Sequence, residues 1–506
     1  MEVERVRPGS APFAEAYFDG VLANSEVIQS GSDRFSVAET LAVKWESKEK
    51  GKGLFALRKI PAGSIIFKEK PLIALQDTPN KAQVEACAYC LRFVGSLEGQ
   101  LALITAETSR PYSPEQALPF QERCMGSKEP LPSSLPCSEG GVERYCSVSC
   151  RERALASHQK LLSWRTSRPV PGHPLYAFDT HAIESGCDAF RLAAAIIAKT
   201  VLEAERNGGD VSKAWYPFGQ FVRAPWWEVK PSPEEDDDAQ KTAEEEEERR
   251  QRWKVELKRD LGQSLALLRQ AFQPFSDKYP QLFTEEFYSD IMGMLELNSL
   301  YLQIRSPLER YFGNLERRLT PEEYESVREE LSSVLAAVNE QLESSACIDC
   351  DHDHDHHHEG EDEEEEDEED EEKESKEKGK EKDKEKEEDE EDEEDEDEEN
   401  EFEFPACWGT GLYAVQSCLN HSCEPNVQVF GFNENSNDKK KTSSEKEEDG
   451  AQNRQEDSTL ICWALRDIEA GEELLMSYID ERADKEERQR ALLYPYSFRC
   501  ACPKCA

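Results

Sequence analysis

The sequence predicts an α+β chain in which short strands near the two ends bracket a helical middle. Two observations predict this class. Residues 41–76 carry short β-rich runs broken by glycine turns, and two similar runs, Asn426–Phe432 and Thr459–Leu465, lie near the other end. Between them, Ala189–Glu205 and Val255–Phe272 space apolar residues three and four apart, the period of a helix buried on one face.

Taken in order, the first strands are expected at Leu41–Trp45, Ser64–Phe67 and Leu72–Leu75, with a turn at Gly51-Lys52-Gly53. A loop-rich, cysteine-bearing stretch runs from Cys87 to His158. Beyond the two helices, Thr320-Pro321-Glu322-Glu323 opens another with a capping box and a proline at the first helical position. Pro231–Arg250, roughly Asp351–Glu403 and Asn433–Ser458 are too charged to offset the entropy of folding and are expected to be disordered. The last of these separates two strand-like runs and reads as an overgrown hairpin loop.

The chain has 506 residues, room for two or three domains, and a formal charge of −47. Residues 359–403 hold 33 acidic residues against 7 lysines and so carry −26 of it. The remaining −21 still repels nucleic acid and favours basic partners, of which histone tails and ribosomal proteins are abundant examples. Met1–Ser10 is charged and no apolar run follows it, so no secretory leader is expected. Ala189–Leu202 is interrupted by Arg191 and Lys199 and is too short for a membrane span. The expectation is a nuclear or cytoplasmic protein, not a secreted or membrane one. Its 16 cysteines then read as metal ligands or buried thiols rather than disulfides.

The densest chemistry lies in the last hundred residues. Asn420-His421-Ser422-Cys423 precedes Pro425-Asn426, Gly471-Glu472-Glu473 leads into Ser477-Tyr478, and Cys500-x-Cys502-x2-Cys505 closes the chain. With Gly51-Lys52-Gly53 upstream, these motifs in this order resemble the SET domain and its post-SET tail. Cys87-x2-Cys90, Tyr145-Cys146-x3-Cys150 and His158 resemble a MYND zinc finger set inside the first part of such a domain. The combination is similar to the SET-and-MYND methyltransferases, in the branch without a C-terminal helical repeat domain, and to plant trithorax-related SET proteins. Tyr17-Phe18-Asp19-Gly20, Trp226-Trp227 and Gly293-x2-Glu296-Leu297-Asn298 resemble the plant type.

The resemblance implies small β-sheets wound around a threaded pseudoknot, an exception to the rule against threading. It implies an extension at 1–40, a split SET domain over 41–480, a MYND finger at 87–162, a helical insert at 183–345 and a post-SET at 481–506. Acidic low-complexity sequence (351–403) and a loop (433–458) fall between these parts.

The activity implied is methyl transfer from S-adenosylmethionine to a protein lysine, on histone H3 or on other basic proteins such as ribosomal ones. Such an in-line displacement needs positioning and a deprotonated amine, which burial in an apolar channel favours. Carried onto matching positions, Lys50, Lys52 and Gly53 flank the cofactor, Asn420 and His421 hold its two ends, and Phe498 stacks near the adenine. Tyr478 is the implied catalytic hydroxyl, Tyr496 lines the lysine channel, and Asn298 is a further cofactor candidate. Taken singly, the glycine pair is ordinarily a turn, Tyr478 a core aromatic and His421 a satisfied buried histidine. The company of the other motifs favours the functional reading.

Three thiolates within six residues at Cys500, Cys502 and Cys505 point to zinc, which needs a fourth ligand. The resemblance supplies it as Cys423. In the MYND finger, Cys87, Cys90, Cys146 and Cys150 make one complete zinc set. A second set would draw on Cys137 and His158, but Gly140-Gly141 and Leu162 stand where ligands belong. Cys124 is a candidate substitute, and the second site is expected to be empty or weak. Cys347-x2-Cys350 and the histidines from His352 to His358 read as a solvated linker in preference to a metal tract. The finger can also engage a transcription-factor partner. An alternative function is a catalytically weak adaptor that binds partners through the finger and the acidic tract.

Overall fold

The computed structural model describes residues 14–25, 28–30, 33–47, 50–125, 131–138, 140–163, 171–231, 243–346, 404–430, 456–496 and 498–506. Helix α1 (Glu15–Ala23) buries Phe18 and Leu22 against the first strands. A hairpin follows, β1 (Leu41–Ser47) and β2 (Gly51–Ala56), with Gly51 at φ +74°, a left-handed conformation that glycine adopts without strain. After it come β3 (Ile65–Glu69) and β4 (Ile73–Gln76). The helical middle contains α2 (Pro174–Glu184), α3 (Ala189–Arg206), α4 (Ala243–Ala271) and α5 (Glu285–Asn298). Strand β5 (Ser299–Ile304), α6 (Pro307–Arg318) and α7 (Pro321–Ala346) complete it. The C-terminal part supplies β6 (Cys407–Leu412), β7 (Asn420–His421), β8 (Val427–Phe430), β9 (Leu460–Ala464), β10 (Glu473–Met476) and α8 (Lys485–Tyr496).

These strands make three small sheets of order β4-β6-β5, β7-β10-β2-β1 and β8-β9-β3. Every sheet therefore combines an N-terminal strand with a C-terminal one. β10 runs between β2, to which it is antiparallel, and β7, to which it is parallel. This strand from near residue 475, inserted beside one from near residue 50, makes the crossing expected of the threaded fold. The sheets enclose one apolar core that includes Leu54, Phe67, Leu302, Tyr413 and Leu474. Helices α2 to α5 form a second core, in which every residue from Ala193 to Ala198 is buried. The most apolar stretch of the sequence is thus a core helix, and no helix among the described residues is long and apolar enough to cross a membrane.

Local rules explain most boundaries. The Thr320 side chain accepts the Glu323 N–H at 3.3 Å while Glu323 accepts the Thr320 N–H at 2.9 Å, so the capping box forms as the sequence implied. β8 and β9 pair antiparallel, Val427 opposite Ala464, as an overgrown hairpin requires.

Three expectations change. β5 lies inside the segment read as a helical insert: Ser-Leu-Tyr-Leu-Gln-Ile alternates apolar and polar residues, and β5 pairs along β6 with Tyr301 opposite Thr410. Helix α4 begins at Ala243, within the stretch 231–250 expected to be disordered. Glutamate and arginine are good helix formers, and Glu247 bonds both Arg250 and Gln251 one turn on. Ser458, expected in a disordered loop, is buried; its N–H donates to Cys90 O at 2.7 Å and its carbonyl accepts from Tyr413. The tract 351–403, residues 431–455 and the histidine-rich segment lie outside the described residues.

Candidate functional site

The C-terminal end of α5, the 3-10 turn Gln416–Cys418, β10 and the end of α8 surround an open cleft, lined by Asn298, Gln416, Ser417, Leu419, Tyr478 and Tyr496 among others. A second hollow beside Asp77, Asp188 and Arg191 holds none of the motif residues.

Tyr478 follows β10, and its hydroxyl donates to the carbonyl of Leu419 at 2.6 Å. Burial raises its pKa, so the phenol stays protonated and keeps a hydrogen to donate. Its backbone N–H donates to His421 Nδ1 at 3.0 Å, which leaves His421 Nε2 facing Cys423 Sγ at 3.3 Å. Burial, reinforced by Arg488, lowers the His421 pKa to about 4 and holds the ring neutral. Aromatic contacts extend the group, with ring centroids 4.9 Å apart for Tyr478 and Tyr496, and 6.0 Å for His421 and the partly exposed Phe498.

Asn420 clamps three strands together: its Nδ2 donates to Lys52 O at 3.1 Å and to Glu473 Oε1 at 2.7 Å. A Cβ on Gly53 would lie 2.7 Å from Glu473 Oε1 and 3.3 Å from Asn420 Nδ2, so those two side chains would have to shift to admit one. Lys50 stands about half exposed and pairs with Glu46 and Glu473. Lys52 behaves differently. Its Nζ donates to Gln220 O at 2.8 Å, lies 3.5 Å from Ser417 Oγ, and sits over the rings of Phe18 and Phe221. Burial lowers its pKa, and it forms no ion pair among the described residues. Asn298 Nδ2 donates to Val222 O and Met294 O, tying α5 to the loop at 222.

Two residues of this region escaped the sequence reading. Glu69 is buried at the end of β3 and accepts the N–H groups of Val415 and Gln416 at 2.8 and 2.9 Å, which anchors the turn carrying Gln416 and Ser417. Burial pushes its pKa up to about 7, against the pull of those bonds. Lys68-Glu69-Lys70 looks like exposed strand end. The signal was the period of two, which places Glu69 on the same face as the core residue Phe67. Gln416 lines the cleft with a buried Oε1 that has no hydrogen-bond partner.

Two groups of four cysteines can each hold a metal ion, their sulfurs all within 4.8 Å of one another: Cys87, Cys90, Cys146, Cys150 and Cys423, Cys500, Cys502, Cys505. Sulfur–sulfur separations of 3.4–3.9 Å match the roughly 3.8 Å expected for thiolates about 2.3 Å from one zinc and exclude disulfides near 2.05 Å. Arg488 donates to Cys505 Sγ at 3.5 Å, placing a positive charge beside the second cluster. Cys137 and His158 join neither group. The Cys137 thiol lies 3.9 Å from Ser163 Oγ, and His158, held neutral by burial, meets Ser157 Oγ through Nδ1. Cys124 is buried in a separate core beside α6 and α7, so the structure brings no third ligand set together among the described residues.

The residues present suit S-adenosylmethionine in kind: Asn298, Gln416 and Ser417 offer polar groups beside Leu419, Tyr478 and Tyr496, and the Lys52 ammonium lies 3.5 Å behind Ser417 Oγ, on the side where an amino-acid carboxylate would be neutralised.

Comparison with known proteins agrees. The SET domain family model matches residues 241–479. The histone-lysine N-methyltransferase ATXR2 of Arabidopsis thaliana is 26% identical over 515 residues, covering 90% of this chain and 88% of its own. The human protein-lysine N-trimethyltransferase SMYD5 is 26% identical over 472 residues, covering 92% and 86%. The human histone-lysine N-methyltransferase SMYD3 is 36% identical over 97 residues, 19% of this chain and 17% of its own. The chain carries a SET domain match over residues 241–479 and is homologous along nine-tenths of its length to lysine methyltransferases of the SET-and-MYND and plant trithorax-related types.

Proposed function

We propose that the chain methylates lysine side chains of basic proteins, histones foremost and ribosomal proteins next, in the nucleus or cytoplasm. The observation that carries this reading is the protonated Tyr478 hydroxyl, fixed on Leu419 O at 2.6 Å within a cleft that also exposes Tyr496 and Ser417. When bound, S-adenosylmethionine supplies an electrophilic methyl group. Lys52 would hold its carboxylate, with Lys50 at the mouth and Gly53 leaving the backbone bare. Asn420, His421 and Asn298 would frame it, and Phe498 would cover the adenine. Tyr478 and Tyr496 would confine the substrate amine, which loses its proton more readily in an apolar channel than in water. Each cysteine set would hold one zinc, the second binding the tail to β7 through Cys423. The parts serving this reading are the split SET domain over 41–480, the finger at 87–162, the insert at 183–345 and the post-SET from 481.

The test is transfer of labelled methyl from S-adenosylmethionine to core histones and to a cell extract, with the labelled protein identified by mass spectrometry. Labelling of basic proteins is expected. A chain that neither labels any protein nor binds the cofactor by calorimetry is an adaptor and overturns the reading.

A further inference from the structure

The wall of the cleft contains a single buried side-chain polar atom without a hydrogen-bond partner among the described residues, Gln416 Oε1. Gln416 is more than nine-tenths buried, and its backbone is held by Glu69 at 2.9 Å. Its amide is turned by Nε2, which donates to Met476 Sδ at 3.6 Å, so the oxygen is the end left over. Met476 stands two residues before Tyr478. A buried acceptor with nothing to accept is costly and calls for a partner, which can be water, an ion or a donor on a ligand.

We propose that Gln416 is a substrate-orienting residue that accepts an N–H of the target lysine amine and so distinguishes amines by the number of hydrogens they carry. The proposal rests on the methyltransferase reading of the cleft. In each transfer the amine lone pair forms the new N–C bond while the S–C bond breaks and its electrons remain on sulfur. The proton shed by the ammonium beforehand passes to water. A neutral primary amine has two N–H groups to offer Gln416 while its lone pair faces the methyl group, and a monomethylated amine has one. A dimethylated amine has none and leaves Oε1 unpaired. Gln416 therefore speeds the first two transfers and does nothing for the third. The expected size is roughly tenfold, the rate equivalent of one buried acceptor gaining or losing its partner.

The test needs no natural substrate. Full-length protein saturated with S-adenosylhomocysteine is titrated with n-butylammonium and with N,N,N-trimethylbutylammonium, which mimic the end of a lysine with three N–H groups and with none. Wild type should prefer n-butylammonium by roughly tenfold. Gln416→Leu should lose that preference while binding S-adenosylhomocysteine as wild type does, and Gln416→Glu, which keeps an acceptor, should retain it. The same preference in wild type and Gln416→Leu, or no preference in wild type, overturns the assignment of Gln416. Wild type that fails to bind S-adenosylhomocysteine overturns the methyltransferase reading itself, and with it the assignment. Where histones are labelled, Gln416→Leu should slow methylation of unmodified lysine and spare conversion of dimethyl to trimethyl. An equal fall in all three steps means a structural role only and overturns the proposal.

Discussion

Tyr478 meets the rest of the site through its hydroxyl on Leu419 O and its backbone N–H on His421, and only the first depends on its oxygen. Tyr478→Phe should keep the fold and the cofactor affinity, with a modest fall in melting temperature from the unpaired Leu419 carbonyl, while kcat falls by about a hundredfold or more, the usual cost of removing one polar group at the reacting atoms. Activity within a few-fold of wild type would remove Tyr478 from the chemistry. Glu69 carries a prediction of a different kind. Its folded pKa of about 7 exceeds its ordinary value near 4.5, so the folded state holds the proton more tightly than the unfolded one. The stability this confers is full below pH 4.5 and is lost as pH rises to 7. The melting temperature of wild type relative to Glu69→Gln should accordingly decline between pH 5 and pH 8. A difference that stays flat across that range would show that Glu69 is ionised throughout.

The C-terminal segment from residue 481 is held to the sheets through α8 and the Cys423 cluster, and His421 touches Cys423 directly. Metal analysis should find about two zincs per chain. Cys502→Ser should lose one of them and weaken cofactor binding together, while the zinc at Cys87, Cys90, Cys146 and Cys150 stays. Retention of full cofactor affinity with one zinc gone would uncouple the finger from the cleft. Elements whose signals are local were readable in advance: α3 from its period, α7 from its cap, and three sulfurs of the C-terminal cluster from their spacing, with Cys423 and the grouping of the other four supplied by the family resemblance. Gly51-Lys52-Gly53, read as a turn, instead opens strand β2. β5 was hidden because six alternating residues follow a helix without a turn signal between them. The site was legible as a set of motifs and less so in its interior. Lys52 is buried by Phe18 and Phe221, which sequence distance separates from it, and Gln416 gains its meaning from contacts with Glu69 and Met476.

At the scale of the molecule, the −26 carried by residues 359–403 joins α7 to β6. A run this charged offers no apolar burial, and closing a shorter loop costs little extra, so deleting it should leave folding and cofactor affinity unchanged. If it attracts basic substrates, its loss raises KM for core histones most at low salt, because screening removes the advantage of the intact chain at high salt. Equal KM at every ionic strength would make it a spacer. The position of β10 bears on how the molecule comes into being. Because a central strand of its sheet lies near residue 475, a chain leaving the ribosome at about 5–20 residues per second waits roughly 20–85 s after β2 appears before that strand can dock. Throughout that interval β2 presents an unpaired edge, the kind of surface that recruits stray strands. Nascent chains of this protein should therefore depend on holding chaperones, and any chain released before residue 476 should lack the cleft altogether.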